Sequence, residues 1–377
     1  MLFIGENDGR QHAQAAIKWL TRSLEMTGDQ GFSHSFSPIF GWKEAYPETT
    51  GYLIETFFDC AHFFDEPELA KIAHGQAGWL CRQQMPNGAF PGGTLADEAR
   101  PSAFNTGQIL LGLTRAAAES HSVSEQKTLL AAAEKAADWL CTITLPDGSW
   151  AEGLYVENHC PTYHVRAVWG MLAANVFLKK KEVELASRRA LDFYAKDLTD
   201  QFSFKNCGFF PTKPAFTHTI AYAIRGFFES GILLQEEKYV EIAQKVLDET
   251  IKKSASSTPN RFRTAGEFDE NWTGNFRFKC VTGNCQLSLN ASRFFERTGD
   301  PKYRAAAVGF LSEIIDYQRL TGTADTFGAL PGSVPFWGKY MRFRYPNWAA
   351  KFFIDAILKL VDQSGPTPKS DRPADIS

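Results

Sequence analysis

Two kinds of helical segment alternate along the chain. Segments such as "LLAAAEKAADWL" and "YRAAAVGFLSEIIDY" carry apolar residues on one face and Lys or Glu on the other, which is typical of a helix on the outside of a protein. Segments such as "GYLIETFFDCAHFF" and "AVWGMLAANVFL" are apolar nearly all round, as expected of a helix that is covered on both sides. The alternation therefore predicts pairs that combine one outer and one inner helix.

The pairs recur about every sixty residues. "KWLTRSLEMTGDQGF", "GWLCRQQMPNGAF" and "DWLCTITLPDGSW" align on Trp19, Trp79 and Trp139, which are 60 residues apart each time. Each segment ends a helix, turns at a glycine and continues into an aromatic residue. The turn glycines continue along the chain as Gly31, Gly88, Gly148, Gly208, Gly266 and Gly328. Six repeats of helix, glycine turn and helix predict twelve helices.

Twelve helices of alternating kind close most simply into an (α/α)6 toroid, an all-α fold of six helical hairpins. We predict one toroid domain over residues 1–363, because strand-like alternation is too scarce for a sheet of any size. The segment 364–377 is rich in Pro, Ser and charge and is predicted to be a disordered tail. In this topology all inner helices run the same way, so their N-termini meet on one rim.

Composition excludes several classes of function. The 377 residues are 44% hydrophobic with a formal net charge of −3, so no excess of basic residues indicates a nucleic-acid partner. No apolar run reaches the ~20 residues that a membrane span needs, and the apolar start of "MLFIGENDGRQ" is too short for a signal peptide. Seven cysteines without framework spacing favour free thiols in a reducing compartment, and hence a cytoplasmic location. Zinc-ligand spacing and glycine-rich nucleotide motifs are absent, so we predict no metal and no cofactor.

The "ADWLCTITLPDGSW" segment resembles the Gln-x-x-Asp-Gly-Ser-Trp repeats of the terpene-cyclase and prenyltransferase toroids. The six-hairpin count is also similar to that of toroid glycosidases, polysaccharide lyases and epimerases, over roughly residues 10–363. Terpene cyclases use an Asp-rich acid motif, and the nearest segment here, "EFDEN", has a different pattern. Prenyltransferases and lanthionine cyclases hold zinc with Cys, His and Asp, whereas Cys285 lacks the matching Cys-His motif. The resemblance therefore favours the carbohydrate-active branch.

The common rim is the predicted binding site. Six helix N-termini that point at one cavity give it a positive potential, which suits an anionic ligand such as a uronic acid. Arg and Lys side chains near the helix starts would pair with a carboxylate, and loop aromatics would either stack on sugar rings or plug the barrel end. The predicted substrate-binding residues are Trp42, Tyr46, Asn105, Trp150, Arg166, Tyr222, Arg225, Trp272, Asn284, Trp337, Trp348 and Lys351.

The first candidate for catalysis is Glu48, which follows Pro47 in the first turn of an inner helix. The helix dipole there would lower the pKa of the carboxyl group, which suits a base. Glu55 lies two turns further on the same face, where a carboxylate is costly unless it is paired or faces water. Asp269, in the acidic loop "GEFDENWTGNFRF", would complete a two-carboxylate glycosidase pair with Glu48, or it belongs to a solvated loop.

Histidine and tyrosine supply a second chemistry. His164 precedes Arg166 at one helix start, and His218 lies four residues before Tyr222 at another. β-Elimination or C5-epimerisation of a uronate needs one group that removes a proton and one that donates it. Toroid lyases resemble this chain in using Asn, His, Tyr and Arg. The predicted catalytic residues are Glu48, Tyr163, His164, His218 and Asp269.

The predicted function is that of a carbohydrate-active enzyme on an acidic polysaccharide or oligosaccharide. The reaction is cleavage of a glycosidic bond by hydrolysis or β-elimination. The alternatives are a uronate C5-epimerase, a non-catalytic glycan-binding toroid and a terpene-cyclase-like protein. The oligomeric state stays open.

Overall fold

The computed structural model describes residues 6–256 and 262–363. Twelve α-helices make up most of this part, as the repeat predicts. They are α1 (Glu6–Glu25), α2 (Pro47–Phe64), α3 (Pro67–Gln83), α4 (Ala103–Glu119), α5 (Val123–Ile143), α6 (Val165–Leu178), α7 (Lys181–Ala195), α8 (Thr217–Leu234), α9 (Glu237–Ser254), α10 (Val281–Thr298), α11 (Pro301–Ser312) and α12 (Asn347–Asp362). The tail predicted for 364–377 lies outside the described residues.

The even-numbered helices form a closed inner ring. Each packs against the next, from α2 through α4, α6, α8 and α10 to α12, and α12 packs against α2. The odd-numbered helices cover this ring from outside, and α1 packs against α12. The predicted all-α (α/α)6 arrangement is therefore confirmed. The burial of inner and outer helices agrees with this arrangement, since the inner helix α4 buries most of its surface while the outer helix α5 buries one face.

Short and long connections alternate around the ring. An inner helix joins the following outer helix through two or three residues, as Asp65 and Glu66 do between α2 and α3. Asp65, Lys179, Gln235 and Gly299 end four inner helices in the left-handed conformation, which reverses the chain at once. The chain then returns from each outer helix to the next inner helix through a much longer loop. The closely packed pairs are consequently an inner helix and the outer helix after it.

The long loops carry seven short strands. They are β1 (Ser35–Ser37), β2 (Gly41–Trp42), β3 (Ala215–Phe216), β4 (Glu267–Phe268), β5 (Lys279–Cys280), β6 (Ser333–Val334) and β7 (Tyr345–Pro346). β1 pairs with β2 and β7, β3 with β4, and β5 with β6, all antiparallel. The pairing of β1 with β7 joins the first long loop to the last.

Glycines let the inner helices approach each other closely. A Cβ on Gly107 of α4 would lie 2.2 Å from the Cβ of Ala167 on α6, and one on Gly170 would lie 1.9 Å from the carbonyl oxygen of Gly107. Likewise a Cβ on Gly112 would lie 2.0 Å from the carbonyl oxygen of Gly51. No larger residue fits these contacts without moving the backbone, so these positions keep the ring narrow.

None of the helices in residues 6–256 and 262–363 is long and apolar enough to cross a membrane.

Candidate active site

A cavity of about 680 Å³ opens where the inner helices begin. Such a volume is typical of ligand pockets. Seven of its lining side chains come from inner helices: Glu48, Tyr52, Phe104, Asn105, His218, Tyr222 and Trp348. Long loops supply most of the rest, among them His34, Lys43, Tyr46, Thr94, Asp97, Glu98, Arg100, Tyr155, Tyr163, Phe209, Phe210 and Tyr340. The predicted rim and the cavity therefore coincide.

Glu48 is the buried carboxyl group of this cavity. Pro47 occupies the start of α2, and Glu48 follows in the first turn with 7% of its surface exposed. The Tyr46 hydroxyl donates a hydrogen bond to Oε2 of Glu48. Burial raises the pKa of Glu48 to about 7, while the Tyr46 hydroxyl and the charge of Arg166 oppose this rise. We expected the helix end to lower this pKa, but desolvation is the larger effect, so the carboxyl group is suited to donating a proton near neutral pH.

His218 supplies a neutral imidazole to the opposite wall. It lies near the start of α8, and the order of the inner ring places α8 opposite α2. Its Nδ1 is 3.0 Å from Oε1 of Gln286. An amide oxygen only accepts, so Nδ1 carries the proton and Nε2 keeps its lone pair. Burial lowers the pKa of His218 to about 3, so the ring is uncharged at neutral pH and Nε2 is able to accept a proton.

Ten of the 26 residues that line the cavity are Phe, Tyr or Trp. Tyr163 packs edge-on against Phe104 and Phe209, with ring centroids 5.2 and 5.5 Å apart. Tyr222 lies 4.3 Å from the His218 ring. Trp348 donates from Nε1 to the Tyr340 hydroxyl at 2.8 Å. Burial raises the pKa of Tyr163, Tyr222 and Tyr340, so all three keep their protons.

The predicted residues Asn105 and Tyr46 also reach the cavity. Asn105 lies in the first turn of α4 and donates from Nδ2 to the carbonyl oxygen of Pro91 at 3.1 Å, which fixes the loop in front of this helix. Tyr46 precedes α2 and packs against His34 and Trp348, with ring centroids 5.2 and 6.3 Å away. The cavity thus brings together Glu48, Tyr163, His218, Tyr46, Asn105, Tyr222 and Trp348 of the predicted set.

Two predicted residues support the wall from behind. His164 is 1% exposed and lies between Trp150 and Phe104, with ring centroids 5.1 and 5.7 Å away and planes within 30° of parallel. Neither ring nitrogen has a hydrogen-bond partner among the described residues. Burial lowers the pKa of His164 to about 3. This packing holds Phe104 in the wall and keeps His164 and Trp150 outside the lining.

Four further predicted residues lie in the long loops, outside the cavity lining. Asp269 accepts hydrogen bonds from the backbone N–H groups of Asn271 at 2.9 Å and Thr273 at 2.7 Å, so it stabilises its own turn. The other three are tryptophans: Trp272 donates from Nε1 to the carbonyl oxygen of Gln201, Trp42 packs against Trp19, and Trp337 is 64% exposed. Trp272 and Trp42 therefore pack against other parts of the protein instead of lining the cavity.

The remaining predicted residues lie deeper in the inner ring. Arg225 pairs with Glu229 at 2.7 Å, and Lys351 pairs with Asp355. Asn284 donates from Nδ2 to Oε2 of Glu313 at 2.9 Å. Arg166 donates from Nε to Oε1 of Gln108 at 2.7 Å, and its guanidinium is 4.7 Å from the ring centroid of Tyr222. Arg166 is thus separated from the cavity by a ring that lines it.

Sequence reasoning missed His34, Tyr52, Phe104 and Tyr340. His34 and Tyr340 lie in the first and last long loops, where no periodicity indicates which side chain turns toward the cavity. Burial lowers the pKa of His34 to about 3, so it is a second neutral imidazole of this site. Phe104 is directly before Asn105 and was within reach of the same helix-start argument.

Across the described ranges, no group of three or more His, Cys, Asp or Glu side chains is placed to hold a metal ion. All seven cysteines fall in these ranges and are free thiols.

Solved structures match this architecture over nearly the whole chain. An unsaturated glucuronyl hydrolase specific for heparin is 15% identical, with a TM-score of 0.75 over 96% of this chain and 98% of its own. This chain is a six-hairpin (α/α)6 toroid. The toroid also matches the unsaturated glucuronyl hydrolase of Bacillus sp. GL1, described as responsible for glycosaminoglycan degradation. There the identity is 14% and the TM-score 0.70, over 93% of this chain and 96% of the other.

A third match is the cellobiose 2-epimerase of Bacillus thermoamylovorans B4167. It is 11% identical, with a TM-score of 0.67 over 92% of this chain and 99% of its own. No protein-family model matches the toroid, and a search of curated proteins finds no similar sequence. Identities this low establish the fold alone, because one fold carries unrelated chemistries.

Proposed function

We propose that this toroid is a carbohydrate-active enzyme that binds the end of an acidic oligosaccharide in the cavity and hydrolyses its glycosidic bond. The observation that carries the proposal is Glu48, a carboxyl group with a pKa of about 7 inside an aromatic-lined cavity of about 680 Å³. A proton donor beside stacking surfaces is what glycosidic-bond cleavage requires.

In the proposed reaction Glu48 protonates the glycosidic oxygen as the bond to the anomeric carbon breaks. The leaving sugar departs as an alcohol with that proton. A water molecule forms the new bond to the anomeric carbon, and Nε2 of His218 accepts the proton that the water loses. Proton exchange with solvent then restores both groups. Because α2 and α8 stand opposite each other, the acid and the base reach the sugar from different sides.

Two lines of support favour an acidic sugar. Lys43 and Arg100 lie in the lining together with several N-terminal helix ends, which attract anions. Asp97 and Glu98 in the same lining balance part of this charge, so the attraction would be local. The heparin-specific and glycosaminoglycan-degrading hydrolases that match the fold are named for glucuronyl substrates.

The test is a panel of saturated and unsaturated uronic-acid oligosaccharides beside neutral ones. Reducing ends and the ultraviolet absorbance of unsaturated uronate are followed together. Reducing ends without new unsaturation indicate hydrolysis, and both signals rising indicate β-elimination. Glu48→Gln should lose at least about 100-fold in rate. The control Glu68→Gln removes a carboxylate whose side chain is 75% exposed on α3 and should keep the activity. Full activity in Glu48→Gln would reject the proposal, as would a panel on which no uronic-acid saccharide is converted.

Epimerisation is the second candidate, because two neutral imidazoles, His34 and His218, line the same cavity. One would remove a proton from a sugar carbon and the other would support its return to the opposite face. The cellobiose 2-epimerase of the same fold is consistent with this reading. Deuterium incorporation from solvent into a carbon-bound position, lost in both His34→Asn and His218→Asn, would favour it over hydrolysis.

A further inference from the structure

Two aromatic side chains are exposed at the mouth of the cavity. Tyr155, from the third long loop, is 73% exposed, and Phe210, from the fourth, is 51% exposed. No other large hydrophobic side chain of the described cavity lining is as exposed as either. Their ring centroids lie 5.9 Å apart, with the planes at 60°. Single exposed hydrophobic residues are normal on a protein surface, whereas a contacting pair beside a cavity indicates a binding surface.

Aromatic rings connect this pair to the predicted reacting groups. Phe209 precedes Phe210 in the chain, also lines the cavity and has its ring centroid 6.3 Å from that of His218. Tyr163 lies 5.5 Å from Phe209 on the same wall. The fourth long loop therefore places one ring beside the imidazole and the next ring at the mouth. A saccharide whose end lies beside this imidazole extends toward the exposed pair.

Hydrogen bonds between the third and fourth long loops hold the pair in place. His159 of the third loop donates from Nε2 to the carbonyl oxygen of Gly208 at 3.0 Å. Asn206 donates from Nδ2 to the carbonyl oxygen of Cys160 at 3.0 Å, and its own carbonyl oxygen accepts from the backbone N–H of Thr162 at 2.7 Å. The two loops therefore form one unit, and the exposed rings need little ordering when a ligand binds.

The charged side chains of the lining come from other loops. Lys43 belongs to the first long loop, and the second supplies Asp97, Glu98 and Arg100. The third and fourth loops contribute glycine, leucine and aromatic side chains to the described lining. A charged sugar at the exposed pair would lose hydration there without gaining an opposite charge. An uncharged pyranose loses less, and its ring C–H groups pack against aromatic faces.

We propose that Tyr155 and Phe210 form a subsite for the second sugar of the saccharide, the one that leaves when the glycosidic bond breaks, and that this sugar is an uncharged pyranose. The inference rests on the proposed function, in which the acidic sugar at the end of the chain lies beside Glu48 and His218. The uronic acid then supplies the charge, and the second sugar supplies apolar contact at the mouth. The subsite favours disaccharides and longer saccharides over the same uronic acid on a small aglycon.

Binding is measured by calorimetry with Glu48→Gln, so that turnover does not interfere. The ligands are a uronic acid linked to a neutral hexose and the methyl glycoside of the same uronic acid, which lacks the second ring; each is used in saturated and unsaturated form. The disaccharide should bind at least about 10-fold more tightly than the methyl glycoside. Adding Tyr155→Ala and Phe210→Ala together should reduce this advantage to within about 2-fold and leave the affinity for the methyl glycoside unchanged.

Matched variants separate the effect of the rings from other effects. Tyr155→Phe keeps the ring and should keep the advantage of the disaccharide. Phe40→Ala removes an aromatic side chain that is 75% exposed in the first long loop, outside the lining, and should change neither affinity. A second uronic acid in place of the hexose should add less affinity than the hexose does. Tyr155→Ala and Phe210→Ala are also measured singly, so a folding defect in one leaves the other to be tested.

The outcomes distinguish the subsite from the proposed function. The subsite is overturned if the disaccharide and the methyl glycoside bind equally, if the advantage of the disaccharide survives loss of both rings, or if both ligands lose affinity equally. An equal gain from a second uronic acid would overturn the choice of an uncharged sugar. Ring-dependent binding without turnover by the native protein would reject the proposed function alone. Hydrolysis whose preference for the disaccharide, measured by kcat/KM, does not depend on the rings would reject the subsite alone, and no binding of any uronic-acid ligand would reject both.

Discussion

Replacing Glu48 by Gln should remove a pH-dependent loss of stability. The pKa of Glu48 rises from 4.5 to about 7 on folding. The folded state therefore binds this proton more tightly than the unfolded chain, and stability is lost as pH rises from about 4.5 through about 7. The pKa differs between the folded and unfolded states by 7 − 4.5, about 2.5, which corresponds to about 3 kcal/mol of unfolding free energy at ~1.4 kcal/mol per pH unit. Gln keeps the acceptor for the Tyr46 hydroxyl and carries no charge.

The assay is urea unfolding at pH 4.5, 5, 6, 7 and 8, followed by tryptophan fluorescence and circular dichroism together. The quantity compared is the unfolding free energy of Glu48→Gln minus that of the unchanged protein. It should rise by about 3 kcal/mol between pH 4.5 and pH 8, and most of the rise should lie below pH 7. The exposed control Glu68→Gln should give a nearly flat difference.

A difference that stays constant within about 0.5 kcal/mol would refute the reasoning, because the buried carboxyl group would then titrate as it does in the unfolded chain. A difference that falls with pH would mean that Glu48 is ionised in the fold and paired.

Three further outcomes are expected. Gly107→Ala should lower the unfolding free energy by about 1–3 kcal/mol, because the new Cβ would lie 2.2 Å from Ala167. The control Gly75→Ala has open space around the new Cβ and should be neutral or stabilising. Equal effects of the two substitutions in chemical denaturation would contradict the close contact. Tyr46→Phe removes a hydrogen bond that lowers the pKa of Glu48, so carboxyl ¹³C titration should show that pKa higher, and a lower value would exclude this role. The ring ¹⁵N signals of His218 should not titrate between pH 5 and 8, and a midpoint near 6.5 would show that water reaches the ring.

The helical frame was predictable because its signals are local and repeated. Trp19, Trp79 and Trp139 recur at one spacing and are all buried in the structure. The alternation of two helix types then leaves few ways to cover the apolar ones. The repeat does not indicate which neighbouring helices pack most closely, because the length of each connection determines this.

The predicted residues that line the cavity lie in the first turns of inner helices or directly before them, as Tyr46 and Tyr163 do. Glu48, Asn105 and His218 lie at inner-helix starts and line the cavity, as the topology requires. His34 reaches the same cavity from a long loop, and no periodic pattern in a loop indicates where its side chains point. The direction of the Glu48 pKa was also misjudged, since the helix end is visible in the sequence while the extent of burial is not.

The short connections lie at one end of the ring and the long loops at the other, so the two ends have different roles. At one end, connections of two or three residues such as Asp65-Glu66 leave no room for variation. At the other, five of the six long loops contribute to the cavity, while the inner helices contact one another directly. Substrate preference in such a protein is free to diverge by exchange of loops while the helices stay in place. A designer could therefore graft a new rim onto this ring without redesigning its core.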